Sequence, residues 1–143
     1  PDYNFSLEKI KKETKKNNLS EIFEFYSKEV WSKSNQPLKK ADYSILLGKW
    51  DGSPRSLRES INYNVPIIVS RETNFEDLVN LTNCGIVLKE TNTEEINLFI
   101  KNLVSKNYNI INKHKESCNN AKKLISNEYY RKSILDFYHE VQI

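Results

Sequence analysis

The sequence predicts an α/β domain built on a Rossmann-like parallel sheet with flanking helices. Two observations carry this expectation. Short apolar runs at residues 43–47, 66–70 and 86–88 have the near-continuous hydrophobic character of strands buried on both faces. The segments between them carry helix signals, so the order is strand, helix, strand, helix, strand, which implies right-handed crossovers and helices on both faces of the sheet.

Each element has a local reason. Residues 6–17 read as an amphipathic helix with Ser6 as N-cap and Leu7 and Ile10 on its apolar side. Residues 22–26 (Ile-Phe-Glu-Phe-Tyr) have the aromatic and branched content of a short strand. A short helix is expected at 37–41 and a polar loop at 48–53. The next helix spans 54–63, with Ser53 as N-cap, Pro54 at the first helical position and Asn64 closing the end in a left-handed conformation. A short helix is expected at 74–80. Residues 94–104 place Ile96, Phe99, Ile100 and Leu103 at helical spacing, and two more helices fill 108–125 and 128–141. A parallel sheet is usually entered through a strand, so a chain that opens on a helix is expected to lack at least one leading strand. The sequence contains no methionine, which points to a piece of a longer protein.

Composition narrows the function classes. The 143 residues suffice for one domain with a real core, and 38% hydrophobic with 29% charged residues is ordinary for a globular protein. No apolar run approaches the roughly 20 residues needed to span a bilayer, and the amino terminus lacks the pattern of a secretory signal, so a cytoplasmic location is the default. Lysine and arginine total 22 against 19 acids, a net +3. The lysine doublets solvate helix faces and do not form a nucleic-acid footprint; weak attraction to an anionic membrane surface stays open. Cys84 and Cys118 lack metal or dithiol spacing and are read as free thiols in ordinary packing. His114 and His139 are read as surface residues of the helical tail, and Trp31 and Trp50 as packing residues.

In open α/β sheets ligands bind beyond the carboxyl ends of the strands, which directs attention to the loop after Leu47 and the helix behind it. The run there is Gly48-Lys49-Trp50-Asp51-Gly52-Ser53-Pro54-Arg55-Ser56-Leu57-Arg58-Glu59. A helix amino end offers unpaired N–H groups and a partial positive charge, suited to phosphate or diphosphate. Leu57 and Ile61 mark the packing face, whereas Arg55, Glu59 and Asn62 form a polar stripe. On spacing alone Glu59 is a solvated charge with Arg55 as its partner one turn away.

Residues 41–85 change that reading. A-D-Y-S-I-L-L-G-K-W-D-G-S-P-R-S-L-R-E-S-I-N-Y-N-V-P-I-I-V-S, followed by T-N-F-E-D-L-V and N-C-G-I-V-L, resembles the C-terminal domain of GT-B glycosyltransferases of family 4. That pattern runs from an acid through a glycine-containing turn to a helix with glutamate eight positions on, then V-P and a strand. Two departures stand out: Asp51 is one methylene shorter than the usual glutamate, and Asn62-Tyr63-Asn64 replaces small residues and glycine.

The resemblance implies that the chain, residues 1–143, is a single partial nucleotide-sugar-binding domain, the C-terminal GT-B half without the acceptor domain. The whole enzyme would be a retaining glycosyltransferase moving a sugar from a nucleotide-diphosphate sugar to a glycan or lipid-linked acceptor, with no cofactor or essential metal. It would act at the cytoplasmic side, compatible with peripheral association at the inner membrane face. Glu59 then matches the acid that holds the ribose hydroxyls. The N–H groups of Ser56 and Leu57 match those that meet the diphosphate, with Arg55 beside them. Gly52 and Ser53 match the turn at the donor sugar, and Asp51 the catalytic acid near the transferred sugar. Residues 27–30 match the nucleobase region loosely. A non-catalytic nucleotide-sugar-binding module, an epimerase of the same architecture and a flavodoxin-like protein-interaction domain are the alternatives.

Overall fold

The computed structural model describes residues 6–26, 37–48, 54–105 and 109–141. It divides into two compact units, Pro1–Gln36 and Pro37–Ile143.

In the first unit, helix α1 (Ser6–Lys16) begins on Ser6, the residue the sequence assigned to its cap. It ends on a Schellman pair: Asn18 N–H donates to the Lys15 carbonyl and Leu19 N–H to that of Thr14, at 3.2 and 2.8 Å. Asn18 occupies the left-handed region, φ 55°. The strand expected at 22–26 does not form. Ile22 and Phe23 turn back onto the Leu19 carbonyl, and no other strand pairs with this segment among the described residues. β-favouring side chains alone, without a ladder partner, do not make a strand. Phe23 and Phe25 stack instead, with the Lys11 ammonium over the Phe25 ring.

The second unit holds the sheet. A 3₁₀ turn (Pro37–Lys40) leads to β1 (Ser44–Leu46), followed by α2 (Arg55–Asn62), β2 (Ile67–Ser70), α3 (Glu76–Thr82) and β3 (Gly85–Leu88). Three helices follow: α4 (Thr93–Ser105), α5 (Asn109–Leu124) and α6 (Asn127–Val141). The strands lie side by side in the order β1-β2-β3, all parallel, with Ser44 opposite Ile67 and Ile67 opposite Gly85. The Rossmann-like α/β expectation therefore stands.

β2 is the central strand and every one of its residues is buried, as its run of branched apolar residues requires. Ile67 and Val69 point to one face, where they meet Leu57 and Ile61 of α2, Val79 of α3, and Cys118 and Ala121 of α5. Ile86 of β3 lines a cavity with Phe99 and Leu103 of α4 and Ile110, Ile111 and His114 of α5. Gly85 has a packing reason: a Cβ there would run into the Ile67 carbonyl across the β2–β3 ladder.

Asparagine does the work that glycine often does. Four described residues have positive φ, and all are asparagines: Asn18, Asn64, Asn74 and Asn83. Their short side chains tolerate the left-handed region, and the whole chain has three glycines. α2 closes on a second Schellman pair, Asn64 N–H to the Ile61 carbonyl and Val65 N–H to that of Ser60, so Asn64 sits as expected. Asn74 shifts the helix expected at 74–80. Its φ of 56° cannot open a right-handed helix, so a 3₁₀ turn (Arg71–Thr73) precedes it and α3 starts at Glu76.

Candidate functional site

The carboxyl ends of β1 and β2 are tied together by side chains. Ser70, the last residue of β2 and almost fully buried, donates its hydroxyl to the Gly48 carbonyl at 2.9 Å, just beyond β1. Thr73, fully buried, donates to the Ser70 carbonyl at 2.7 Å. These two hydroxyls hold the rim from which the candidate loop departs. Sequence reasoning did not single them out. The available signal was a polar residue ending an otherwise apolar strand at the edge where ligands bind.

Pro54 caps α2 with φ −64° and ψ 120° and has no side-chain cap bond. This corrects its expected place by one residue: the extended ψ keeps it outside the helix, and Arg55 is the first helical residue. The fixed φ of proline suits either position. The Pro54 carbonyl accepts from Arg58 N–H at 3.4 Å. By helix geometry the N–H groups of Arg55, Ser56 and Leu57 have no intrahelical acceptor.

The faces of α2 divide as the spacing predicts. Leu57 and Ile61 are fully buried in the core, and Ser60 is buried with its hydroxyl donating back to the Ser56 carbonyl at 2.7 Å. Arg55, Ser56 and Asn62 are exposed, and Glu59 is half-buried. The Arg55–Glu59 ion pair that would account for Glu59 as a plain surface charge is not made. Among the described residues the ion pairs are Arg71–Glu76 and Lys115–Asp42, and no hydrogen-bond donor reaches the Glu59 carboxylate. The fold thus brings Arg55, Ser56, Leu57 and Glu59 together on one short helix. Asp51, Gly52 and Ser53 lie outside the described residues, as do Trp31, Trp50 and residues 27–30.

The histidines behave differently from one another. His139 is exposed, as expected. His114 is a correction, being only 8% exposed on α5. Its Nδ1 lies 3.0 Å from the Tyr43 hydroxyl, and the two rings meet edge to face. α5 turns this side chain toward the start of β1, where burial pushes the imidazole below its ordinary pKa and the Tyr43 phenol above its own. Cys84 and Cys118 are both free and fully buried. Burial pushes the Cys118 thiol up to about 12, which makes it an inert packing residue.

Residues 6–124 match the family model of Glycosyl transferases group 1. The chain belongs to this family. No curated protein and no solved structure matches it. The group 1 match begins at the first residue of α1 and ends at the last residue of α5, leaving α6 outside. The chemistry of the group 1 glycosyltransferases is glycosyl transfer, so a sugar donor and an acceptor are the substrates in general terms. Among the described residues no helix is long and apolar enough to cross a membrane.

Proposed function

We propose that this group 1 chain is the donor-binding half of a retaining, family 4-type GT-B glycosyltransferase, acting on a nucleotide-diphosphate sugar. The observation that carries the reading is Glu59: a half-buried glutamate on α2, behind the carboxyl end of β1, whose carboxylate has neither an ion pair nor a hydrogen bond among the described residues. A ligand with two neighbouring hydroxyls, such as a ribose, supplies the missing donors.

The roles of the other residues in this reading are those that the resemblance of residues 41–85 implies. The N–H groups of Ser56 and Leu57 point along the helix axis and receive the diphosphate, with the Arg55 guanidinium beside them. Asp51, Gly52 and Ser53 serve the transferred sugar. The protein's contribution is then electrostatic, stabilising the departing diphosphate without an essential metal. The acceptor, a glycan or lipid-linked molecule, binds a domain outside this chain. The chain alone is therefore inactive, and the whole enzyme works at the cytoplasmic side of the membrane.

The test is Glu59→Ala in the full-length enzyme. Hydrogen bonds to a charged group contribute about 1.5–3 kcal/mol each, so donor use should fall by about tenfold to a few hundredfold. Stability should change by less than about 1 kcal/mol, because the Leu57 and Ile61 face is untouched. Unchanged donor kinetics in a folded variant would return Glu59 to a solvated helix charge.

A further inference from the structure

Turning inward places His114 at the wall of a cavity that the donor site does not use. The cavity holds about 300 Å³, and most of its lining is hydrocarbon: Ile86 of β3, Phe99 and Leu103 of α4, and Ile110 and Ile111 of α5. All five of these side chains are half-buried, so each has apolar surface still to cover. Packed interiors leave few voids larger than a water molecule. An apolar cavity of about 150 Å³ stays dry and takes up benzene, so this one has room for about two such rings.

Two polar groups interrupt the apolar lining. Asn102 of α4 lines the cavity from an exposed position, and its carboxamide makes no hydrogen bond among the described residues. His114 is only 8% exposed. Its Nδ1 is held 3.0 Å from the Tyr43 hydroxyl, whereas Nε2 has no hydrogen-bond partner among the described residues. The open space that this ring lines is the cavity.

The chemistry of a fitting ligand follows from these walls. Burial favours the neutral imidazole, and no lysine, arginine, aspartate or glutamate lines the cavity among the described residues. A charged group would therefore lose water and gain no counter-ion. A hydroxyl both donates and accepts, so it pairs with Nε2 in either tautomer and with a carboxamide. Phe99 adds an aromatic face for a flat ring.

We propose that the cavity between β3, α4 and α5 binds a small neutral aromatic molecule carrying a hydroxyl, of the phenol or naphthol class. The rings lie among Ile86, Phe99, Leu103, Ile110 and Ile111, and the hydroxyl meets His114, with Asn102 beside it. Tyr43, which holds His114, precedes β1 at the amino end of the sheet, whereas Glu59 and the amino end of α2 lie beyond the carboxyl end of β1. The site is therefore separate from the donor site, and the inference stands whether or not the chain binds a nucleotide sugar.

The experiment is an NMR titration of the methyl-labelled 143-residue chain with 2-naphthol and, separately, with naphthalene. Both should shift the methyls of Ile86, Leu103, Ile110 and Ile111. 2-Naphthol should bind about threefold to tenfold more tightly and show nuclear Overhauser contacts to the His114 ring, as one added net hydrogen bond predicts. Leu103→Trp, which fills the space, should abolish binding of both while the chain stays folded. His114→Phe should bring the two affinities together. Because either substitution could disturb folding, the shifts and contacts in the unsubstituted chain decide the matter on their own. Absence of shifts up to the solubility limit, shifts confined to the exposed Ile134 and Phe137 of α6, or full binding by a folded Leu103→Trp variant would overturn the site. Equal affinity of the unsubstituted chain for the two ligands would overturn the assignment of the hydroxyl to His114.

Discussion

Helices α5 and α6 are consecutive in sequence and similar in length, yet they do opposite jobs. α5 buries His114, Cys118 and Ala121 against α2, α3 and the sheet. α6 has large apolar residues in greater number, including Ile134, Leu135, Phe137 and Tyr138, and leaves all four more than half exposed. Hydrophobic content therefore does not decide which helix joins the core. What α5 has is a stripe of small or compact side chains, Cys118 four positions after His114 and Ala121 three after that, which lets its backbone approach a surface already filled by Leu57, Ile61 and Val79. The bulky side chains of α6 would not fit there.

Matched substitutions break or sharpen this contrast. Ala121→Asp places a carboxylate in a fully buried position with no cation in the surrounding cluster. It should cost about 3 kcal/mol or more, or prevent folding, as read by urea denaturation. A stable Ala121→Asp variant would mean that α5 is not part of the core. The His114–Tyr43 pair offers a subtler test. Burial lowers the imidazole pKa, so the folded state binds fewer protons than the unfolded state below the ordinary value of about 6.5. The contribution of neutral His114 is therefore fully present above that value and is lost as pH falls through the range just below it. Thermal midpoints measured from pH 7.5 to 5 should decline, and His114→Gln, which keeps an acceptor for the Tyr43 hydroxyl, should flatten the decline. An unchanged slope would show that His114 titrates freely. The smallest effect belongs to α6: Leu135→Asp should shift stability by no more than about 0.5 kcal/mol, and a large loss would mean that this face is covered in the folded protein.

The sheet and the order of its elements were legible because their signals are local and repeated. Each strand is a short branched apolar run, and each crossover helix is bounded by residues with their own backbone preferences, as at Pro54 and Asn64. The segment Ile22–Tyr26 shows the limit. Its side chains suit a strand as well as those of β1 do, but a strand exists only where another backbone pairs with it, and that cannot be read from five residues. For the site, the Leu57 and Ile61 face and the polar stripe of Arg55, Glu59 and Asn62 follow from helical spacing. The missing Arg55–Glu59 pair does not, because side-chain partners depend on rotamers and on what else is near. Ser70 was passed over for the same reason: its partner, the Gly48 carbonyl 22 positions away, is brought close by the fold, whereas Thr73 bonds locally to the Ser70 carbonyl.

His114 and Cys118 mark the boundary most clearly. The sequence by itself determined that the tail is helical, that α2 has one apolar face and one polar stripe, and that asparagines can end helices where glycine is scarce. These properties depend on a residue and its neighbours within a turn or two. Only the tertiary structure decided that His114, placed among lysines and acids, turns inward to Tyr43, 71 positions earlier, and that α5 rather than the more hydrophobic α6 completes the core. Burial is a property of shape complementarity between distant surfaces, and side-chain size along a helix limits that fit more strictly than hydrophobicity does.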